Sequence, residues 1–211
     1  MKKIIAVAFA IAMIANEAYA FKAFGHQTIA ALAEMHLTDK AKAEVKTILK
    51  SDMTKHAMWL YSLRTKPELA HVQQWQVATL NAEGKSVTTY ENDAVVVLEK
   101  AVDVLRNRKN ESDSLVLASL RTVIQIVGDI HNPSNIRIEG NEATKGFKFT
   151  LVSRKSRSEM LWRNMWHNYA NRHDVFSADY YATDVDIFAG DKKSEYEKGT
   201  PRFWAENVGE D

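Results

Sequence analysis

The chain has 211 residues, 45% of them hydrophobic, with 28 basic and 27 acidic side chains and no cysteine. That length suffices for one domain with its own core and falls short of two. The near-neutral balance excludes a broadly basic nucleic-acid scaffold, and the missing cysteine excludes disulfide bracing and a lipidated-cysteine anchor.

The first segment reads as a secretory leader. Lys2 and Lys3 precede an apolar run over 4–15, and Ala18-Tyr19-Ala20 supplies a small-x-small cleavage site. A membrane-spanning helix needs about 20 apolar residues, and Asn16 and Glu17 end this run too early. The expectation is a signal peptide over 1–20 and one domain over 21–211, in a bacterial protein that is periplasmic or secreted and has no membrane anchor. Losing two lysines and one glutamate with the leader would leave 26 basic and 26 acidic groups.

After residue 20 the pattern is helical. Residues 26–37 carry Ile29, Leu32, Ala33 and Leu37 on one face. Thr38 or Asp39 is placed to cap a second helix through 49. A short helix is expected over 55–63, and Pro67 opens a further segment to 77. Residues 81–89 are polar and irregular. Asn92 or Asp93 is placed to cap 94–105, and Ser112 or Asp113 a long apolar helix to about 130. Across 133–156, Gly140, Gly146 and the alternation in Phe147-Lys148-Phe149 predict a loop with one short hairpin. Helix is expected to resume over 157–171 and again after Pro201. The fold class predicted is all-α, with long loops and its chemistry on inward side chains or at one end of a bundle.

The motif "GDIHNPSN" (128–135) ends the long helix. Asp129 and His131 are good metal ligands just before Pro133, where a helix must stop. Gln125 lies one turn upstream on the face of Asp129, about 6 Å away, and Asn135 follows the proline. If Phe21 is the first residue, its α-amino group is a nitrogen ligand with a pKa of about 8. Gly25 lets the chain fold back so that this amine and His26 share one cation. With Asp129 they make a mixed nitrogen/oxygen set suited to zinc.

At these residues the chain resembles the S1/P1 nuclease family, zinc-dependent single-strand nucleases and 3′-nucleotidases. Phe21-Lys22-Ala23-Phe24-Gly25-His26 is similar to the family's N-terminal Trp-Gly-x-x-Gly-His. "AMWLYSLR" (57–64) resembles Ala-x-Trp-Ala-Asp-x-x-Arg, and "QWQVATLN" (74–81) resembles Trp-His-Tyr-Val-Asn. "QIVGDIHNPSN" (125–135) resembles His-x-Val-Gly-Asp-Ile-His-Gln-Pro-Leu-His, and "LWRNMWH" (161–167) resembles Asn-Leu-His-x-x-Trp-Asp. "TPRFWAEN" (200–207) is similar to the family's Trp-Ala-Glu-Glu-Ser segment.

The resemblance implies a single-domain helical bundle of the S1/P1 nuclease and zinc phospholipase C type, hydrolysing phosphodiester and 3′-phosphate bonds with three zincs. It implies metal ligation by Phe21, His26 and Asp129, and substrate phosphate at Arg64. It also places Tyr61, Gln76, Gln125, Asn135, Arg163 and His167 where the family has ligands. Neutral amides bind zinc poorly beside imidazole or carboxylate, and Arg163 puts a fixed positive charge where a dication should sit. His131 is retained, but its family counterpart is not a ligand. The expectation is a degenerate member with at most one zinc, for which single-stranded nucleic acid or a nucleotide is the partner class. One alternative is a working hydrolase that gathers metal from His26, Asp129, His131 and His167. Another is a binding protein that uses the emptied cleft.

Bland readings stand beside these. His26 can be a core-capping histidine, Asp129 can bond the Phe21 amine, and Arg64 can be a solvated surface group. His56, His71 and His173 read as ordinary loop or surface residues, and His36 suits the C-terminal end of its helix. Trp59, Trp75, Trp162, Trp166 and Trp204 read as core more readily than as base-stacking platforms.

Overall fold

The computed structural model describes residues 22–63, 66–141, 147–152, 157–162, 177–192, 194 and 198–210. Its elements in chain order are α1 (Lys22–His36), α2 (Asp39–Leu49), α3 (Trp59–Leu63), β1 (Ala78–Leu80), α4 (Ala94–Arg106), α5 (Asp113–Ile130), β2 (Ile136–Ile138), β3 (Lys148–Val152), β4 (Arg157–Leu161), α6 (Ala178–Ala189) and α7 (Pro201–Glu210). Helices dominate, as the sequence predicts, and the strands form two small ribbons.

Local chemistry sets the helix starts. The Thr38 hydroxyl accepts from Ala41 N at 3.3 Å, Asp93 Oδ1 from Val95 N at 2.9 Å, and the Ser112 hydroxyl from Leu115 N at 3.3 Å. Each satisfies an amide that the first helical turn leaves without a partner. Of the paired candidates, the caps are therefore Thr38, Asp93 and Ser112.

Helix α5 is the central element, packed against α4 along its length and touched by α1, α2, α3 and α7. Its residues Ile126 and Ile130 enter one apolar cluster with Leu60, Leu80, Val95, Leu98 and Ala205. One turn earlier, Leu120 and Ile124 enter a second cluster with Ala30, Leu49, Met53 and Ala57. Each such leucine or isoleucine, fully buried, contributes about 1.5–3 kcal/mol. Trp59, Trp75 and Trp204 pack half-buried against the first cluster.

Several expectations need correction. Residues 157–161 are strand β4, antiparallel to β3, not the start of a helix over 157–171. The hairpin expected within 133–156 therefore extends beyond it. Phe147, Phe149 and Trp162 pack their rings about the ribbon, and Trp162 N donates to Phe147 O at 2.8 Å. That cross-strand pairing outweighs any local helical preference. The rest of the predicted helix lies outside the described residues. The expected helix over 55–63 is split into a 3₁₀ turn (Met53–His56) and α3, and 67–77 is a 3₁₀ segment (Pro67–Gln76) kinked at Leu69. The parallel pair β1–β2, in register at Ala78 and Ile136, and helix α6 were not anticipated.

Candidate metal centre

The centre is assembled at the C-terminal end of α5. Gln125 and Asp129 project from one face of that helix, and both are fully buried at 0% exposure. Opposite them α1 brings His26, 1% exposed, to place its Nε2 3.4 Å from Asp129 Oδ1. The approach depends on Gly128. A Cβ there would stand 3.1 Å from both His26 Nδ1 and Ile29 Cδ1, so a glycine lets α1 lie this close without displacing either side chain.

The turn after α5 completes the site. Asn132 Oδ1 accepts from Ser134 N at 3.0 Å, which folds the chain through Pro133 into a 3₁₀ turn (Pro133–Asn135). Asn135 is thereby returned over the helix end. Its Nδ2 donates to Asp129 O at 3.1 Å and to Asp129 Oδ1 at 3.3 Å. Gln125 is fixed from the other side, where its Oε1 accepts from Leu60 N at 2.8 Å. Because a carboxamide has one oxygen and one nitrogen, both amides have a defined orientation. Asn135 presents its nitrogen to the carboxylate, and the oxygen of Gln125 is committed to the backbone of α3.

Tyr61, also on α3, is buried and meets the His26 ring at 5.9 Å between centroids. Gln76 is buried at the end of the 3₁₀ segment that packs against α3 and α5. Among the described residues, Gln76 Nε2, Gln125 Nε2, Asp129 Oδ2, Asn132 Nδ2 and Ser134 Oγ are buried without a hydrogen-bond partner. The sequence pattern missed the Leu60 amide and the roles of Asn132 and Ser134. A helix-interior glycine at 128 was the readable sign of the close approach.

His131 is not brought in. It is exposed, its Nδ1–H donates to Val127 O at 2.7 Å, and its ring lies beside Trp204. Phe21, Arg64, Arg163, His167 and His173 lie outside the described residues. Among those described, no three His, Asp or Glu side chains are grouped to hold one ion. The remaining histidines have other duties. His36 Nε2 pairs with Asp186 Oδ1 at 2.6 Å, tying α1 to α6. His56 Nδ1 accepts from Arg121 Nε at 3.0 Å, and burial together with the Arg121 charge lowers its pKa. His71 meets the Trp75 ring edge-on.

A cleft of about 710 Å³ is lined in part by Val77, Thr79, Tyr90 and Arg137. Its walls also carry three carboxylates, Glu91, Asp93 and Glu139. The Tyr90 hydroxyl donates to Glu139 Oε1 at 2.8 Å, which raises the tyrosine pKa.

The model of the S1/P1 nuclease family matches residues 21–208. The chain belongs to the S1/P1 nuclease family. No curated protein gave a match. S1/P1 nucleases are zinc-dependent and act on nucleic acid. Tyr61, Gln76, Gln125 and Asn135, four positions where the resemblance puts ligands, lie on or at the end of elements that meet around α5. Among the described residues no helix is long and apolar enough to cross a membrane.

Proposed function

We propose that this S1/P1 family member has exchanged the multi-zinc centre for a hydrogen-bonded polar cluster and has little or no nuclease activity. The orientation of two amides carries this reading. Gln125 has its oxygen engaged by Leu60 N, and Asn135 turns its nitrogen on Asp129. An amide nitrogen is no ligand, so Asn135 turns a hydrogen-bond donor on the centre where a further ion would need an acceptor. The residues present therefore do not fit a three-zinc site. The acidic lining of the 710 Å³ cleft, three carboxylates against one guanidinium, also opposes a phosphate backbone there.

One ion remains compatible with the geometry. Two ligands of a tetrahedral zinc, each about 2.0–2.1 Å from it, stand about 3.3 Å apart, and His26 Nε2 and Asp129 Oδ1 are separated by 3.4 Å. In this reading Phe21, His26 and Asp129 would hold at most one zinc after cleavage of the leader, in a protein exported to the periplasm or medium. The family match beginning at residue 21 supports that leader boundary. Arg64 would then face phosphate without a metal pair to activate water. The same 3.4 Å separation favours, as second reading, a single-ion phosphodiesterase.

The test is cleavage of single-stranded DNA and RNA by the mature protein with added zinc. No cleavage above the metal-free control is expected. Zinc-dependent cleavage that vanishes in His26→Ala would establish the single-ion enzyme instead.

A further inference from the structure

On the same face of α5 as Asp129, two or more turns toward the start of the helix, lies a second, smaller recess of about 320 Å³, at the lower end of the range of small-molecule sites. It exists because facing positions on the packed helices α4 and α5 are small. Ala101 on α4 and Ala118 and Ser119 on α5 leave a gap where larger side chains would have closed the contact, and Trp59 and Trp75 wall it. Both indoles are fixed. Arg121 Cζ lies 5.8 Å from the Trp59 ring centroid, and Trp75 Nε1–H donates to Asn92 Oδ1 at 3.1 Å.

The recess has a polar element in its lining. Ser119 is 5% exposed, and no hydrogen bond joins its hydroxyl to the described residues. The neighbouring Thr122 hydroxyl is already donated to Ala118 O at 2.9 Å. A hydroxyl that lines a recess walled by two held indoles suits a ring with a polar edge. At the rim, Lys100 and Glu91 balance in charge, so nothing selects an ionised ligand.

We infer that this recess is a binding site for a small neutral heteroaromatic molecule of one or two fused rings, its ring between Trp59 and Trp75 and its polar edge on Ser119. The inference does not depend on the state of the metal centre. The walls are preformed, so binding costs little reorganisation.

The probe is indole, followed by NMR of the tryptophan side-chain N–H signals in the full mature protein. Saturable shifts of the Trp59 and Trp75 signals are expected, with a dissociation constant below about 1 mM. The Trp204 signal, whose N–H donates to Lys198 O at 2.9 Å, should stay in place. Ala118→Phe, which fills the recess from a half-buried wall position, should weaken binding at least tenfold at an unchanged melting temperature. Ser119→Ala should weaken it severalfold, and a single-stranded oligonucleotide should not compete. Absence of saturation, equal shifts at Trp204, or indifference to Ala118→Phe in a folded variant would each overturn the site. Competition by the oligonucleotide would overturn the assignment to a free small molecule.

Discussion

Asp93 and Asp129 are both buried carboxylates, yet they stand at opposite kinds of place. Asp93 precedes α4, where Oδ1 accepts from Val95 N at 2.9 Å and Oδ2 from Thr79 N at 2.7 Å. The positive end of the helix dipole and two backbone donors hold its charge. Asp129 sits one residue before the end of α5, where the dipole is unfavourable to an anion. Its contacts are longer, 3.3 Å to Asn135 Nδ2 and 3.4 Å to His26 Nε2, and Oδ2 has no hydrogen-bond partner among the described residues. A carboxylate used for architecture is saturated by the backbone. The slack at Asp129 is what the proposed exchange of a metal centre for a hydrogen-bonded cluster would leave.

Mutation can break this contrast. Asp93→Ala removes a helix cap and strands the Thr79 amide, so a loss of about 3 kcal/mol is expected in urea unfolding. Gln125→Leu should cost about 2 kcal/mol, because Leu60 N loses its acceptor in the core. Asp129→Asn should cost less than about 1 kcal/mol, since the remaining oxygen still accepts from Asn135. If Asp129→Asn proved as damaging as Asp93→Ala, the two carboxylates would be structural equals and the contrast would fail. Gly128→Ala is expected to cost about 1 kcal/mol, its crowding of His26 and Ile29 exceeding the gain in helix propensity.

The smallest effects are in pH dependence. Burial raises the Asp93 pKa above its usual 3.8, against the hydrogen bonds from Val95 and Thr79 that lower it. The folded chain therefore binds more protons than the unfolded one just above pH 3.8, and this group's contribution falls as pH rises through that window. Asp93→Asn should abolish that slope. His56 has the opposite sign in the proton balance. With its pKa lowered below 6.5, its contribution is full above that value and is lost as pH falls toward the folded-state pKa. Unfolding curves of His56→Gln across mildly acidic pH should lack this decline.

Much of this was legible in the residues because it is local. Thr38, Asp93 and Ser112 announce their helices within a turn, and the apolar spacing of 113–130 fixes α5. The β1–β2 pairing was not legible, since Ala78 meets Ile136 across intervening helices and no local pattern encodes that meeting. The failure at 157–161 has the same origin, for β4 takes its conformation from β3. At the centre, His26, Gln125, Asp129 and Asn135 could be named from spacing and family resemblance. What could not be read is which way the amides face. That is set by Leu60 N, two elements away, and by the turn that returns Asn135 to Asp129.

The most direct measurement is zinc per chain in the mature protein, purified without chelators and then equilibrated with excess zinc before desalting. The account predicts no more than one equivalent, lost together with any zinc-dependent change in melting temperature in His26→Ala. Two or three tightly held equivalents would contradict it, because Gln125 and Asn135 would then have to release Leu60 N and Asp129 to admit the additional ions.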